Sequence, residues 1–189
     1  MPRWLRCGLR ADLLNERVPQ FFDSWRDSMT DLELRIENLE RQLRRVMDEL
    51  ELLKLTASYG PSVDSVSSDI TAELWTDDGV YDVPGLGRWA GREQLRGMLH
   101  QELHQTLVRN GCAHVISLPR ITLQGDSAVG TCYSRLYQRS AVGMDVLRVS
   151  GNRWEFVRTP DGWRIKYRTV LAMDGSERPR ELLGRSFRD

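Results

Sequence analysis

Three long β-prone segments in close succession, Ala128 to Arg139, Val146 to Arg158 and Trp163 to Ala172, constrain this chain more than any other feature. The last two are separated only by Thr159-Pro160-Asp161-Gly162. Proline fixes one backbone angle there and glycine accepts a positive one, so the flanking segments must fold back on each other as an antiparallel hairpin. Shorter segments, Ala113 to Leu118 and Ile121 to Leu123, followed by a turn at Gln124-Gly125-Asp126, extend the meander toward the N-terminus. Gly151 reads as a bulge in the middle segment.

Ahead of the strands the periodicity is helical. Pro19 closes a poorly patterned stretch whose Trp4, Leu5, Leu9, Leu13 and Leu14 fit one amphipathic helix. Trp25, Met29, Leu32, Ile36, Leu39, Leu43, Val46, Leu50 and Leu53 then alternate at spacings of four and three, the apolar seam of a heptad repeat. The positions between them, such as Glu37, Asn38, Glu40, Arg41, Arg44 and Arg45, are solvated types. A core-facing helix carries a broader stripe, and at ~1.5 Å per residue this one runs on the order of 45 Å, so pairing with another copy is expected.

Tyr59-Gly60-Pro61 is expected to interrupt that helix, and Ser67-Ser68-Asp69 to cap a second one through Leu74 and Trp75. Thr76-Asp77-Asp78-Gly79 reads as a turn, Val80 to Val83 as a short strand ended by Pro84-Gly85, and Gly91-Arg92-Glu93 as the start of a helix carrying Leu95, Met98, Leu99 and Leu103. Helices first and antiparallel strands afterwards make an α+β chain in which a strongly curved sheet wraps around helices and encloses a pocket. The division is 1–24, an N-terminal segment; 25–55, the heptad helix; 52–183, the α+β domain; and 184–189, a tail.

Charge excludes some partners. Lys plus Arg and Asp plus Glu number 27 each, and neither sign dominates a long stretch, so neither nucleic acid nor an anionic membrane is an expected partner. Cys7, Cys112 and Cys132 are odd in number and widely spaced, which suits reduced thiols in a cytoplasmic protein. The N-terminus lacks an apolar run of signal-peptide length, and no later run is long enough to span a bilayer.

Several blocks resemble the SnoaL-like branch of the NTF2-like superfamily: LLKLTASYGPSVD, ELWTDDGVYDVPGLGRWAGREQLR, CAHVISLPRITLQGDSAVGTCYSRLY and RVSGNRWEFVRTPDGWRIKYRTVLAMDG. The resemblance implies a cone-shaped sheet around helices and points toward scytalone dehydratase, bile-acid 7α-dehydratase and hexachlorocyclohexane dehydrochlorinase. In such eliminating members a Tyr near the end of the first domain helix precedes an Asp by five residues. A His stands on the first long strand and an Arg on the last. Tyr59, Asp64, His114 and Arg168 match those places.

The chemistry asks different things of the four. His is the side chain whose unperturbed pKa lies near neutrality, so His114 is the expected general base. A carboxylate on its other ring nitrogen selects the tautomer and stabilises the imidazolium, which is the role for Asp64. Tyr59 and Arg168 supply donors for charge developing on a leaving or enolate oxygen. The expected activity is therefore a cofactor-independent, dehydratase-type elimination on a small hydrophobic, hydroxylated ring compound. An isomerase or cyclase would use the same base. A non-catalytic β-type subunit of a ring-hydroxylating dioxygenase, or a ligand-binding module, is the alternative the fold leaves open.

Tyr81, Trp89, Cys112, Tyr133, Tyr137, Met144 and Trp154 are the expected pocket lining. No metal or other cofactor is expected. His100 and His104 stand four apart, but Glu102 does not follow the first His directly as a zincin requires, and GLGRWAG lacks the context of a dinucleotide loop. The heptad helix implies a homo-oligomer, a dimer or trimer.

Overall fold

The computed structural model describes residues 12–185, with side chains for Trp25 and residues 28–185. The reading of Trp4, Leu5, Cys7 and Leu9 lies outside the described residues, as does most of the 184–189 tail. Contacts divide the chain into two units, residues 1–45 and 46–189.

The described part of the first unit is helical. It holds the first turns of α1 (Asp12–Asp64), which continues into the second unit. Pro19 lies inside α1 and does not close it, because a proline's fixed φ is compatible with a helix and removes a single ladder bond. Trp25, Met29, Leu32, Ile36, Leu39 and Leu43 are 40–62% exposed. Exposed i,i+4 pairs such as Arg35–Asp31 (3.9 Å) and Arg44–Glu40 (3.8 Å) lace the polar positions.

In the second unit α1 uses a different stripe. Leu52, Leu55, Tyr59 and Val63 recur at three- and four-residue spacing, so they share one face, and all four are buried in the main core. Two carboxylates at the edge of this stripe bind the sheet: Glu51 accepts the backbone N–H of Trp163 (2.8 Å), and Asp48 accepts Arg158 (2.8 and 2.6 Å) and the Trp163 indole (3.1 Å).

The helix does not break at Tyr59-Gly60-Pro61, contrary to expectation. Pro61 falls in the final turn, where it costs one hydrogen bond, and α1 ends only where Val66 takes φ 54°. There the Ser67 and Val66 N–H groups donate to Ser62 and Val63 carbonyls (2.9 and 3.2 Å), a Schellman closure. Gly60 serves close approach: a Cβ on it would stand 2.1 Å from the carbonyl oxygen of His114.

Beyond α1 come α2 (Ser68–Glu73), β1 (Trp75–Val83), β2 (Gly87–Ala90), α3 (Arg92–Met98), α4 (Glu102–Asn110), β3 (Cys112–Ile116), β4 (Arg120–Gln124), β5 (Ser127–Ser140), β6 (Gly143–Thr159), β7 (Gly162–Ala172) and α5 (Glu177–Arg185). Ser67 occupies the N-cap of α2, although its hydroxyl bonds Ser65 and not the helix. Thr76 to Gly79 is not a free turn but the bulged start of β1, held beside β7. The expected single helix through Leu103 is two, because the chain turns at Gly97 to Gln101 before α4 begins.

The seven strands form one sheet in the order β2-β1-β7-β6-β5-β3, with β4 pairing the other half of β5. The predicted meander is present, and Gly162 at φ 98° closes the β6–β7 hairpin. β1 adds in parallel to β7, a long-range pairing. Gly151 pairs regularly with Tyr133 and Leu171; the shifts fall at Leu136/Tyr137 and Glu155/Phe156. The absent side chain at Gly151 makes room for Leu183 of α5, 3.2 Å from where a Cβ would stand.

The curved, unclosed α+β sheet thus has its core between α1, α3 and the concave face, around Trp75, Trp154, Trp163 and Phe156. Among the described residues no helix is long and apolar enough to cross a membrane.

Candidate active site

The last turn of α1 meets β3 where Gly60 allows contact, which places Asp64 against His114. The Asp64 Oδ1 accepts the His114 Nδ1–H at 2.5 Å, and Oδ2 accepts the His114 backbone N–H at 2.7 Å. Two donors from one residue fix the carboxylate's orientation as well as its distance. The thiol of Cys112 adds a weak third bond (3.6 Å). Burial alone would raise the Asp64 pKa, but these donors outweigh it and hold the carboxyl below its usual range.

Because a carboxylate only accepts, His114 carries its proton on Nδ1 when neutral, and Nε2 is left with a lone pair. No partner for Nε2 occurs among the described residues, and the ring lines a cavity of about 280 Å³. The wall is mainly apolar: Val63, Leu86, Trp89, Leu99, Leu107 and Leu136 with the rings of Tyr59 and Tyr81.

Of the expected lining, Tyr81 and Trp89 stack on each other in the wall (5.6 Å, 24°). The other five residues do not line it. Cys112 shares the face of His114 but turns to Asp64, and burial with that carboxylate pushes its thiol up to about 11. Tyr133 is 44% exposed on the far face of β5, Tyr137 follows the register shift, and Met144 is 52% exposed near the β5–β6 turn. Trp154 is fully buried beneath the site, stacked on Phe156 and edge-on to Tyr59 (5.8 Å).

Arg168 is not in the wall either. It is 2% exposed, its guanidinium lying 3.9 Å from the Trp154 ring centroid, 4.1 Å from that of Tyr59 and 5.0 Å from that of Tyr81. Its Nε and Nη2 donate to the Asn152 side-chain oxygen (3.2 and 2.7 Å), while Nη1 has no partner among the described residues. Among the described residues no carboxylate pairs with it there. Strand alternation predicts which face Arg168 occupies but not that it packs against three aromatic rings and stays out of the cavity wall.

His104 is the site residue that sequence reasoning set aside. From α4 its ring stacks at 6.0 Å and 29° on that of His114, and its Nε2–H donates to the carbonyl of Val63 (2.9 Å). Burial, with the nearby His114, lowers its pKa, so it stands neutral at pH 7. The signal was present, since His104 shares a helix face with Leu103 and Leu107; its partner, a carbonyl in α1, was not visible. His100 is exposed.

Asp64, Cys112 and His114 also place ligand atoms within 4.8 Å of one another. Their donor set fits hydrogen bonding better than metal ligation, because Asp64 holds the other two and the thiol must lose a strongly retained proton before binding a cation.

Comparison with known proteins agrees with this architecture. Residues 44–169 match the SnoaL-like domain model, and the chain belongs to that family, whose members include polyketide cyclases. An NTF2-like protein with a cystatin-like fold from Novosphingobium aromaticivorans is 38% identical over 77% of this chain and 95% of its own, with a TM-score of 0.76. The Mycobacterium tuberculosis protein Rv3472 shares the fold at 21% identity and TM-score 0.62, covering 75% of this chain and 79% of its own. The uncharacterized Mycobacterium tuberculosis protein Rv2910c is 27% identical over 132 residues, 64% of this chain and 82% of its own.

Proposed function

We propose that this SnoaL-like protein is a cofactor-independent lyase that removes water from a hydroxylated, ring-containing compound, with His114 as general base. The observation that carries the reading is the Asp64–His114 pair in the wall of a small, mainly apolar cavity, with no partner for Nε2 among the described residues. Nε2 takes a proton from carbon next to a carbonyl, the C–H electrons move into an enolate, and the β-hydroxyl leaves as the carbon–carbon double bond forms. The departing oxygen takes one proton from solvent and leaves as water; His114 returns its own to solvent, so the sum is loss of one water.

Asp64 holds the ring and stabilises the imidazolium. Tyr59 lines the same cavity as His114 and is the donor for the reacting oxygens in this reading: burial, with Tyr81 beside it, raises its pKa well above the usual phenol value, while Arg168 pulls the other way. A protonated Tyr59 is therefore suited to hydrogen-bond an enolate or leaving oxygen. Arg168 acts through Tyr59 and Tyr81 as a positioning residue, a buried positive charge beneath them.

The test uses bicyclic β-hydroxy ketones in deuterium oxide. Appearance of the conjugated enone reports elimination, and deuterium at the α-carbon reports proton abstraction whatever follows. His114→Ala should reduce both by about two to four powers of ten. Exchange without loss of water assigns the same base to isomerisation or cyclisation, and neither signal with any such ketone refutes the acid/base reading.

A further inference from the structure

The cavity wall contains one permanent cation. His114 pairs with Leu136 across β3 and β5, and Leu136 pairs with Arg148 across β5 and β6, so the three form one row over adjacent strands, and all three line the cavity. Strands lie ~4.8 Å apart, which puts the backbones of His114 and Arg148 about 10 Å apart with apolar Leu136 between. No carboxylate lines the cavity, and among the described residues Arg148 makes no ion pair or hydrogen bond to the protein. A half-buried guanidinium in an apolar wall loses hydration, and a planar anion restores its hydrogen bonds with matching geometry.

We infer that Arg148 is the anion-recognition residue of this cavity, and that the substrate carries a carboxylate about one fused ring away from the carbon that yields its proton to His114. This deepens the reading of His114 as base and rests on it for the identity of that carbon. Arg168 does not take this role, since it is buried and does not line the cavity.

Calorimetric titration with 2-naphthoate and 2-naphthamide at neutral pH tests the site without turnover. The protein should prefer the carboxylate by about tenfold or more. Arg148→Gln should bring the two within about twofold while amide binding persists, and Arg148→Lys should retain part of the preference, as a point charge without the fork. Equal affinities in the unaltered protein, or a preference that survives Arg148→Gln, overturn the inference. Failure of both compounds to bind removes it together with the ligand-cavity reading. A preference lost in Arg148→Gln, beside deuterium exchange unaffected by His114→Ala, leaves the anion site standing and removes the proposed base.

A second inference rests on α1 alone. The exposed seam has Met29, Ile36, Leu43 and Leu50 at a and Trp25, Leu32, Leu39 and Val46 at d. At ~100° per residue, Val46 and Leu50 face well away from Leu52 and Tyr59, which enter the core. The flanking g and e positions include Arg35, Glu49, Glu40 and Lys54, beside Ser28, Gln42, Glu33 and Met47. In a parallel, in-register pair each g residue meets the e residue of the next heptad, so Arg35 meets Glu40 of the second copy and Glu49 meets Lys54. Both contacts join opposite charges.

We propose that a second copy of this chain covers the seam in that parallel register. Light scattering should give a multiple of the chain mass, reduced to one chain by Leu39→Lys with Leu43→Lys while circular dichroism still reports the folded sheet. Arg35→Glu should weaken assembly, and adding Glu40→Arg should restore it. A single-chain mass for the unaltered protein, assembly indifferent to the lysines, or absence of rescue overturns the proposal.

Discussion

Gly60→Ala separates helix propensity from tertiary packing because the two predict opposite signs. In a helix interior alanine is favoured over glycine by about 0.8–1.0 kcal/mol, so propensity alone predicts stabilisation. The structure places a Cβ on residue 60 at 2.1 Å from the His114 carbonyl oxygen, a backbone atom that no rotamer change can move. Relief needs α1 and β3 to separate by roughly 1 Å, and overpacking of this kind costs about 1–3 kcal/mol. The net expectation is destabilisation of up to ~2 kcal/mol. The same shift pulls Asp64 from His114, and displacement of ~1 Å in a catalytic group lowers rate about 10²-fold.

Urea unfolding at constant m measures the first effect, and the hydrogen-bonded Nδ1 proton of His114 in an NMR spectrum follows the second. Gly97→Ala is the control: it lies within α3 with nothing within 4 Å of its would-be Cβ, so it should be neutral or stabilise by up to about 1 kcal/mol. A Gly60→Ala protein as stable as the unaltered one, with the Nδ1 resonance unmoved, would refute the close-approach argument.

Other perturbations address the site's electrostatics and the anchoring of α1. Asp64→Asn should cost about 1–3 kcal/mol by urea unfolding, since the charge-assisted bonds to His114 are lost, and should lower deuterium exchange in step with His114→Ala. Burial holds the folded-state pKa of His104 below its ordinary value of 6.5, so the unfolded chain binds more protons there as pH falls. Its contribution is fully present above pH 6.5 and is lost on acidification toward the folded value; His104→Asn should flatten that part of a stability–pH profile. Arg158→Met should destabilise by about 1–2 kcal/mol in thermal unfolding, through the loss of its ion pairs with Asp48 and Asp126 and its place over Trp163.

Local chemistry and periodicity determined much of this protein. The Pro160–Gly162 turn dictates a hairpin whatever surrounds it, alternating β-branched residues dictate the long strands, and four-three spacing dictates the seam on α1. The spacing of Tyr59, Asp64 and His114 within matching blocks was also readable, because a family pattern preserves order along the chain. Tertiary structure decided the rest. Only the approach of α1 to β3 turns Gly60-Pro61 from an expected break into a contact, since helix ends are set by what their backbone groups meet. Only register decides that Leu136 and Arg148 line up with His114 and that Trp154 and Arg168 are buried together outside the cavity wall. His104 joins the site because α4 meets the end of α1, where a carbonyl forty-one residues earlier in the chain accepts a hydrogen bond from its ring N–H. Such pairings bring distant residues together through packing and hydrogen bonding, which local periodicity does not encode.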